Sequence, residues 1–371
     1  KIEKGKTLII FDEIQECPNI ISSLKYFCQD FREIPIIATG SMVRIRLQRE
    51  LTRNGSTQKF MFPVGKIEQL TIYPLSFDEF LLNSNEKLFN VTKKAYESRT
   101  PLSSSIHELV LNEFYKYLLI GGMPEAVNTY FESNSFLESR RVLKDLYDNY
   151  LSDMELYQAS RESCLRSKNL FSNIYGQLNK ESKNFSPGFI EEKTKTRDYF
   201  HPIQWLTLAH IVNQSFQLKQ HVTMPLILDG EGKFRLFLGD IGMFSYQSGI
   251  NASSFVAPNK ENTLSGIFYE NYVANELVSK GIGLYYWRGK NDAELEFIIE
   301  SDNKLYPLDV KKGKGVLNSL DKFSNQNSFE MAIKVSKSNY GYDHEKKLVT
   351  IPFYFMPFLA EDLKNGTFKV D

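Results

Sequence analysis

Apolar residues along this chain fall into two rhythms. Short unbroken runs, Leu8-Ile9-Ile10-Phe11 and Ile34-Pro35-Ile36-Ile37-Ala38, predict strands covered on both faces, as parallel sheets require. Between them Ile20, Leu24, Phe27 and Phe31 recur at helical spacing. Residues 69–75 predict a third strand, stopped by Pro74, and Ser76 followed by Glu79 is a capping box opening a helix. Residues 84–105 are polar and read as a loop or a frayed helix end. Residues 102–160 are helical, with a turn at Ile120-Gly121-Gly122-Met123-Pro124. Short helices at 170–178 and 205–213 lead into a strand at 214–220, an order that suggests a winged helix. A strand at 236–241 and a polar linker at 256–263 follow. The last unit reads as helix 266–278, strands 284–287, 294–299 and 305–311, and helix 316–323.

The first strand ends in Asp12-Glu13, where an α/β sheet presents its ligands. An acid pair there has the form of a Walker B strand: Asp12 helps hold Mg²⁺ on ATP, and Glu13 orients the attacking water. An ordinary strand–loop junction would look the same. The second strand ends in Thr39-Gly40-Ser41, so Thr39 or Ser41 is placed to sense a γ-phosphate, or the segment is simply a turn. Gly5-Lys6-Thr7 lacks the first glycine of a phosphate-binding loop and precedes a strand, not a helix; no G-x-x-x-x-G-K-[ST] occurs in the chain. With Lys1 as first residue, the expectation is a fragment without its phosphate grip, poor at binding ATP alone.

Composition narrows the classes. A chain of 371 residues, 42% hydrophobic and 24% charged, is a multidomain globular protein and not a disordered one. Lys plus Arg equals Asp plus Glu at 45 each, so any nucleic-acid contact must come from a local patch. Lys180, Lys183, Lys193, Lys195 and Arg197 form a candidate, but interleaved acids make a solvated face the simpler account. Cys17, Cys28 and Cys164 lack metal-like spacing, and no apolar run is long enough to span a bilayer; a cytoplasmic protein is expected.

The tail carries a second constellation. Glu270 lies on a helix, Glu296 on a strand, and Asp309 and Lys311 share one face of the next strand. Hard oxygen ligands from Glu270, Glu296 and Asp309 suit Mg²⁺, and Lys311 suits orientation of a water or relief of charge on a scissile phosphate. Asp292 and Glu294 are alternative carboxylates, and Glu276 is expected to face elsewhere. Acid-x-Lys alone would be a surface salt bridge; the helix-acid, strand-acid, acid-x-Lys order is more specific.

Eight segments in this order carry a resemblance: 8–18 (LIIFDEIQECP), 39–41 (TGS), 73–81 (YPLSFDEFL), 117–127 (YLLIGGMPEAV), 234–243 (FRLFLGDIGM), 266–277 (GIFYENYVANEL), 286–297 (YWRGKNDAELEF) and 308–312 (LDVKK). The chain resembles the prokaryotic archaeal-type AAA+ ATPases that carry a restriction-endonuclease-like C-terminal domain. The resemblance implies an α/β fold with a partial P-loop-type parallel sheet over 1–100, a helical lid over 101–160, a winged-helix-like segment over 161–225 and a nuclease-like domain over 226–371. It implies ATP and Mg²⁺ as cofactors, Asp12 and Glu13 as Walker B acids, and Thr39 or Ser41 as sensor. Glu270, Glu296, Asp309 and Lys311 take the nuclease-like positions, with nucleic acid and self-association open as partners. Two departures stand out: Gly65-Lys66 where the family reads Gly-Arg, and Glu296 where it reads Asp.

Overall fold

The computed structural model describes residues 2–3, 5–40, 65–157, 160–250, 266–290, 292–312 and 318–370. Ser41 and the expected linker at 256–263 lie outside the described residues. The chain is mixed α/β, with one parallel and two mixed sheets.

Strands β1 (Ile9–Phe11) and β2 (Ile36–Ala38) pair in parallel, with Ile9 opposite Ile36, and helix α1 (Pro18–Asp30) joins them. Phe11 packs on Phe27 of α1 at 5.7 Å between ring centroids. The expectation of burial on both faces is corrected: Leu8, Ile10 and Ile37 are about half exposed or more. A two-stranded pair with one helix covers one face, and among the described residues nothing lies on the other.

The third expected strand is not one. Residues 69–75 form no strand and pair in no sheet, with Leu70 and Ile72 exposed at 86% and 88%. Alternation alone supplies no partner, and Pro74 removes a donor. The capping box at Ser76 is present and opens α2 (Phe77–Ser84). The expected loop after it is instead α3 (Glu86–Glu97), capped by the Asn85 side chain on the Leu88 N–H and buried along Leu88, Thr92, Ala95 and Tyr96. Its stripe is thin and its outer face charged, which hid it. Helices α4 (Ser104–Ile120), α5 (Pro124–Ser133) and α6 (Phe136–Tyr157) follow as expected.

Helices α7 (Arg161–Ser172), α8 (Ile174–Leu178), α9 (Pro187–Ile190) and α10 (Phe200–Leu208) lead to strand β3 (Val212–Gln217). The helix expected over 205–213 therefore ends earlier, where His210 takes a left-handed φ of 56°. Strand β3 lies inside a sheet ordered β4-β3-β5-β6, formed with β4 (Phe234–Leu238), β5 (Leu284–Arg288) and β6 (Glu294–Leu295). It runs antiparallel to β4 and parallel to β5, so 161–225 and 226–371 share this sheet.

The strand expected over 236–241 stops at Leu238, because Asp240 caps helix α11 (Ile241–Ser248) by accepting from the Met243 N–H at 2.9 Å. Helix α12 (Gly266–Ser279) packs against strands of both larger sheets. The strand expected over 294–299 is broken at Glu296: β6 pairs with β5, whereas β7 (Phe297–Ser301) enters a second sheet. With β8 (Lys304–Lys311), β9 (Ala332–Ser336), β10 (Gly341–Asp343) and β11 (Leu348–Pro352), that sheet is ordered β10-β11-β9-β8-β7. Helices α13 (Asn318–Ser324) and α14 (Met356–Asn365) complete the unit.

A buried knot ties these elements together. The Leu75 N–H donates to the Gly122 carbonyl at 2.8 Å, Tyr117 Oη donates to the Leu75 carbonyl at 2.7 Å, and the Gly122 N–H donates to Asp240 Oδ2 at 2.8 Å. A Cβ on Gly122 would lie 2.1 Å from the Leu75 carbonyl oxygen, so glycine is required there. The Phe77 N–H, at the start of α2, donates to Glu276 Oε1 of α12 at 3.0 Å.

Candidate functional sites

Two of the expected constellations can be located. At the first, Asp12 and Thr39 stand side by side beyond the carboxyl ends of β1 and β2. The ladder continues past the strands, with the Thr39 N–H donating to the Phe11 carbonyl at 2.8 Å and the Ile14 N–H to the Thr39 carbonyl at 3.0 Å. That register brings the Thr39 hydroxyl to donate to Asp12 Oδ1, the oxygen that also accepts the Glu13 N–H at 3.1 Å. Glu13 adopts a left-handed φ of 50°, unusual for a residue with a long side chain. The turn it forms leads into the short helical turn Ile14–Glu16. Asp12, Glu13 and Thr39 are all exposed.

At the second, the tail acids do converge, and cationic side chains already lie among them. The break at Glu296 creates the place. As the chain crosses from one sheet to the other, the Glu296 side chain turns back to accept the Val310 N–H at 3.1 Å. Glu296 and Asp309 then face one another, and Lys311 Nζ sits 2.6 Å from Asp309 Oδ1, as the two-residue strand repeat predicts. The second Asp309 carboxylate oxygen, Oδ2, is buried without a hydrogen-bond partner. Glu270 of α12 reaches the same pocket and is 4% exposed.

Lys183 and Arg235 complete the cluster. Lys183 Nζ lies 2.7 Å from Glu270 Oε1 and 3.3 Å from Glu294 Oε1. Arg235 of β4, 1% exposed, pairs with Glu294 Oε2 and lies 3.9 Å above the Tyr286 ring. The reading of Lys183 as part of a solvated face is therefore corrected. Its neighbours explain the difference: the Phe185 N–H donates to the Phe234 carbonyl at 2.8 Å, and the two rings stack at 5.3 Å. Gln177 bonds the backbone of Ser186 in both directions, at 3.1 and 2.8 Å. The segment is pinned on β4, and Lys183 points inward.

Burial dominates the electrostatics. It pushes the Glu296 carboxyl up to about 7, with the Asp309 carboxylate adding to the shift. Burial also raises Glu270, partly offset by Lys183. For Glu294 burial is outweighed by Arg235 and Lys183, which hold its carboxyl below the ordinary range. Lys183 and Lys311 are raised by the surrounding carboxylates against the cost of burial. Four carboxyl groups thus face three cations, and burial favours the neutral form of Glu296.

Of the alternative acids, Glu294 belongs to the cluster, while Asp292 is exposed and pairs with Arg288 at 3.1 Å. Glu276 faces away, as expected, toward Phe77. Arg235 was detectable in the sequence: an arginine inside the otherwise apolar Phe234-Arg235-Leu236-Phe237-Leu238 must find a buried partner. Lys183 had no such signal.

The donor set tests poorly against a divalent ion. Among the described residues, no three His, Cys, Asp or Glu side chains are disposed to hold a metal. Glu270 and Glu294 already share an ammonium, and Asp309 has Lys311. No helix among the described residues is long and apolar enough to cross a membrane.

Comparison with known families divides the chain in three. Residues 1–81 match the model of an AAA domain, a family that binds nucleotide; residues 111–254 match a domain of unknown function, DUF8612, and residues 265–355 another, DUF4143. No curated protein and no solved structure matches. The matches at the two ends of the chain together support an AAA-type ATPase family.

Proposed function

We propose that this protein is a nucleotide-hydrolysing AAA+ ATPase in which Asp12, Glu13 and Thr39 form the magnesium-and-water edge of the ATP site. The observation that carries this reading is the Thr39 hydroxyl donating to Asp12 Oδ1 across two parallel strands, within a segment that matches an AAA domain. Asp12 would hold Mg²⁺, which would supply neutralisation of the charge developing on the phosphates. Asp12 supplies a carboxylate oriented by two donors, and Thr39 holds that carboxylate and registers the neighbouring strand against it. Glu13, set apart from Asp12 by its left-handed turn, is the residue to position and deprotonate the attacking water. Exposure of all three fits a site completed by further phosphate-binding groups, since the 371 residues contain no G-x-x-x-x-G-K-[ST].

The test is Mg²⁺-dependent ATP hydrolysis by the full-length protein. Glu13→Gln should lower turnover by about a hundredfold or more while ATP binding persists, as loss of a general base does. Thr39→Val should lower it less. Turnover unchanged in Glu13→Gln would remove the basis of the reading.

A further inference from the structure

We propose that the tail carboxylate cluster takes Lys183 as its resident cation, a tethered ammonium standing where a divalent metal would have to sit. This inference is independent of the nucleotide reading. It rests on three observations. The Lys183 ammonium lies within ion-pair distance of Glu270 and Glu294, 2.7 and 3.3 Å away, and so occupies the gap between the helix acid and the strand acid Glu294. Its segment is fixed just after Lys183, at Phe185 by β4 and at Ser186 by Gln177, so the ammonium is placed by the fold, unlike that of a mobile surface lysine. The remaining acids are engaged separately: Glu294 by Arg235, Asp309 by Lys311, and one oxygen of Glu296 by the Val310 N–H.

Electrostatics favours this arrangement over an empty acid pocket. Four carboxyl groups, three of them buried, with no internal cations would repel one another and would draw in a divalent ion. Here three cations meet them, and an arriving Mg²⁺ or Mn²⁺ would have to displace Lys183 together with the segment that carries it. Two atoms mark where an ion would go if Lys183 were gone: Glu270 Oε2 and Asp309 Oδ2 are buried without hydrogen-bond partners. The cluster is therefore a charge-compensated joint between the Lys183 segment, β4, α12 and β8, closed to metal while Lys183 is seated.

Isothermal titration with Mn²⁺ alone tests this on the full chain. The parent should show no saturable site that Asp309→Asn removes. Lys183→Met should gain one such site, and Lys183→Met combined with Asp309→Asn should lose it again. A parent site abolished by Asp309→Asn overturns the proposal, as does a folded Lys183→Met that gains nothing. Should Lys183→Met fail to fold, acetylation kinetics on the parent decide. Lys183 should react at least about tenfold more slowly than the exposed Lys193 and Lys195, because its ammonium is held protonated by carboxylates. Equal rates overturn the assignment.

Discussion

Glu276 offers the sharpest test of the electrostatics inside the helical core. Its carboxylate is 1% exposed, accepts the Phe77 N–H and leaves Oε2 without a hydrogen-bond partner. Burial pushes its pKa from 4.5 to about 8, and Asp78 in the first turn of α2 adds repulsion that the helix N-terminus does not cancel. The folded protein therefore keeps this proton to higher pH than the unfolded chain. Between those two values the native state binds more protons, so stability falls as pH rises. Each unit is worth about 1.4 kcal/mol, so the cost reaches roughly 3 kcal/mol at neutral pH and levels off near 5 kcal/mol above pH 8. Glu276→Gln keeps an oxygen for the Phe77 N–H and cannot ionise. Denaturant titrations followed by circular dichroism should find parent and variant within about 1 kcal/mol of each other near pH 5. Near pH 9 the variant should be more stable by several kcal/mol. Other groups titrate in both proteins, so the difference between them is the readout. Parallel stability curves across this range would refute the reasoning, because they would mean that Glu276 ionises in the core without penalty.

Two further outcomes follow from the packing. Gly122→Ala puts a Cβ against the Leu75 carbonyl and nitrogen, at 2.1 and 2.7 Å, where only backbone could yield. It should cost about 3 kcal/mol or more, read as lost soluble expression or a lowered melting temperature. Arg235→Met strands Glu294 beside the Lys183 ammonium alone and should cost about 3–5 kcal/mol. Arg235→Met with Glu294→Leu should recover much of that in thermal melts, whereas additive losses would show that the pair does not interact.

Much of this architecture was legible from residue patterns, and the failures have identifiable causes. Periodicity located the long helices from Ser104 to Tyr157 and the helix carrying Glu270, because each has a wide apolar stripe. It misplaced residues 69–75, whose alternation is real but whose backbone finds Gly122 instead of a strand. It also ran β6 and β7 together, since a change of sheet at one residue leaves no trace in hydropathy. The four tail residues were found from residue type and order, and they do gather in one pocket. The counter-cations were not found. Arg235 stood visibly in an apolar strand, but Lys183 sits in a polar stretch, and only the docking of Phe185 turns it inward.

The knot also bears on what the recurrent segments mean. Those containing Leu75, Gly122, Asp240 and Glu276 read as parts of separate units along the chain, yet they hydrogen-bond to one another around the start of α2. Their glycines and acids are needed for that closure: Gly122 for the approach of Leu75, Asp240 for the Gly122 N–H and the α11 N-terminus, Glu276 for the first N–H of α2. Residue types that look catalytic in a linear reading are here satisfying buried backbone groups, which would each cost about 1–3 kcal/mol if left unpaired. Helix α12 carries both kinds of acid, Glu270 in the ionic cluster and Glu276 in the knot. Six residues of helix separate them by about 9 Å along the axis. The segment that matches an AAA domain ends at residue 81, inside α2, so its last turn is fastened directly to the helix bearing the cluster. A change at the proposed nucleotide edge that moved α2 would pull first on Glu276, and through a rigid helix on Glu270 and its bond to Lys183. Acetylation rates of Lys183 with and without ATP would measure that linkage, and identical rates would exclude it.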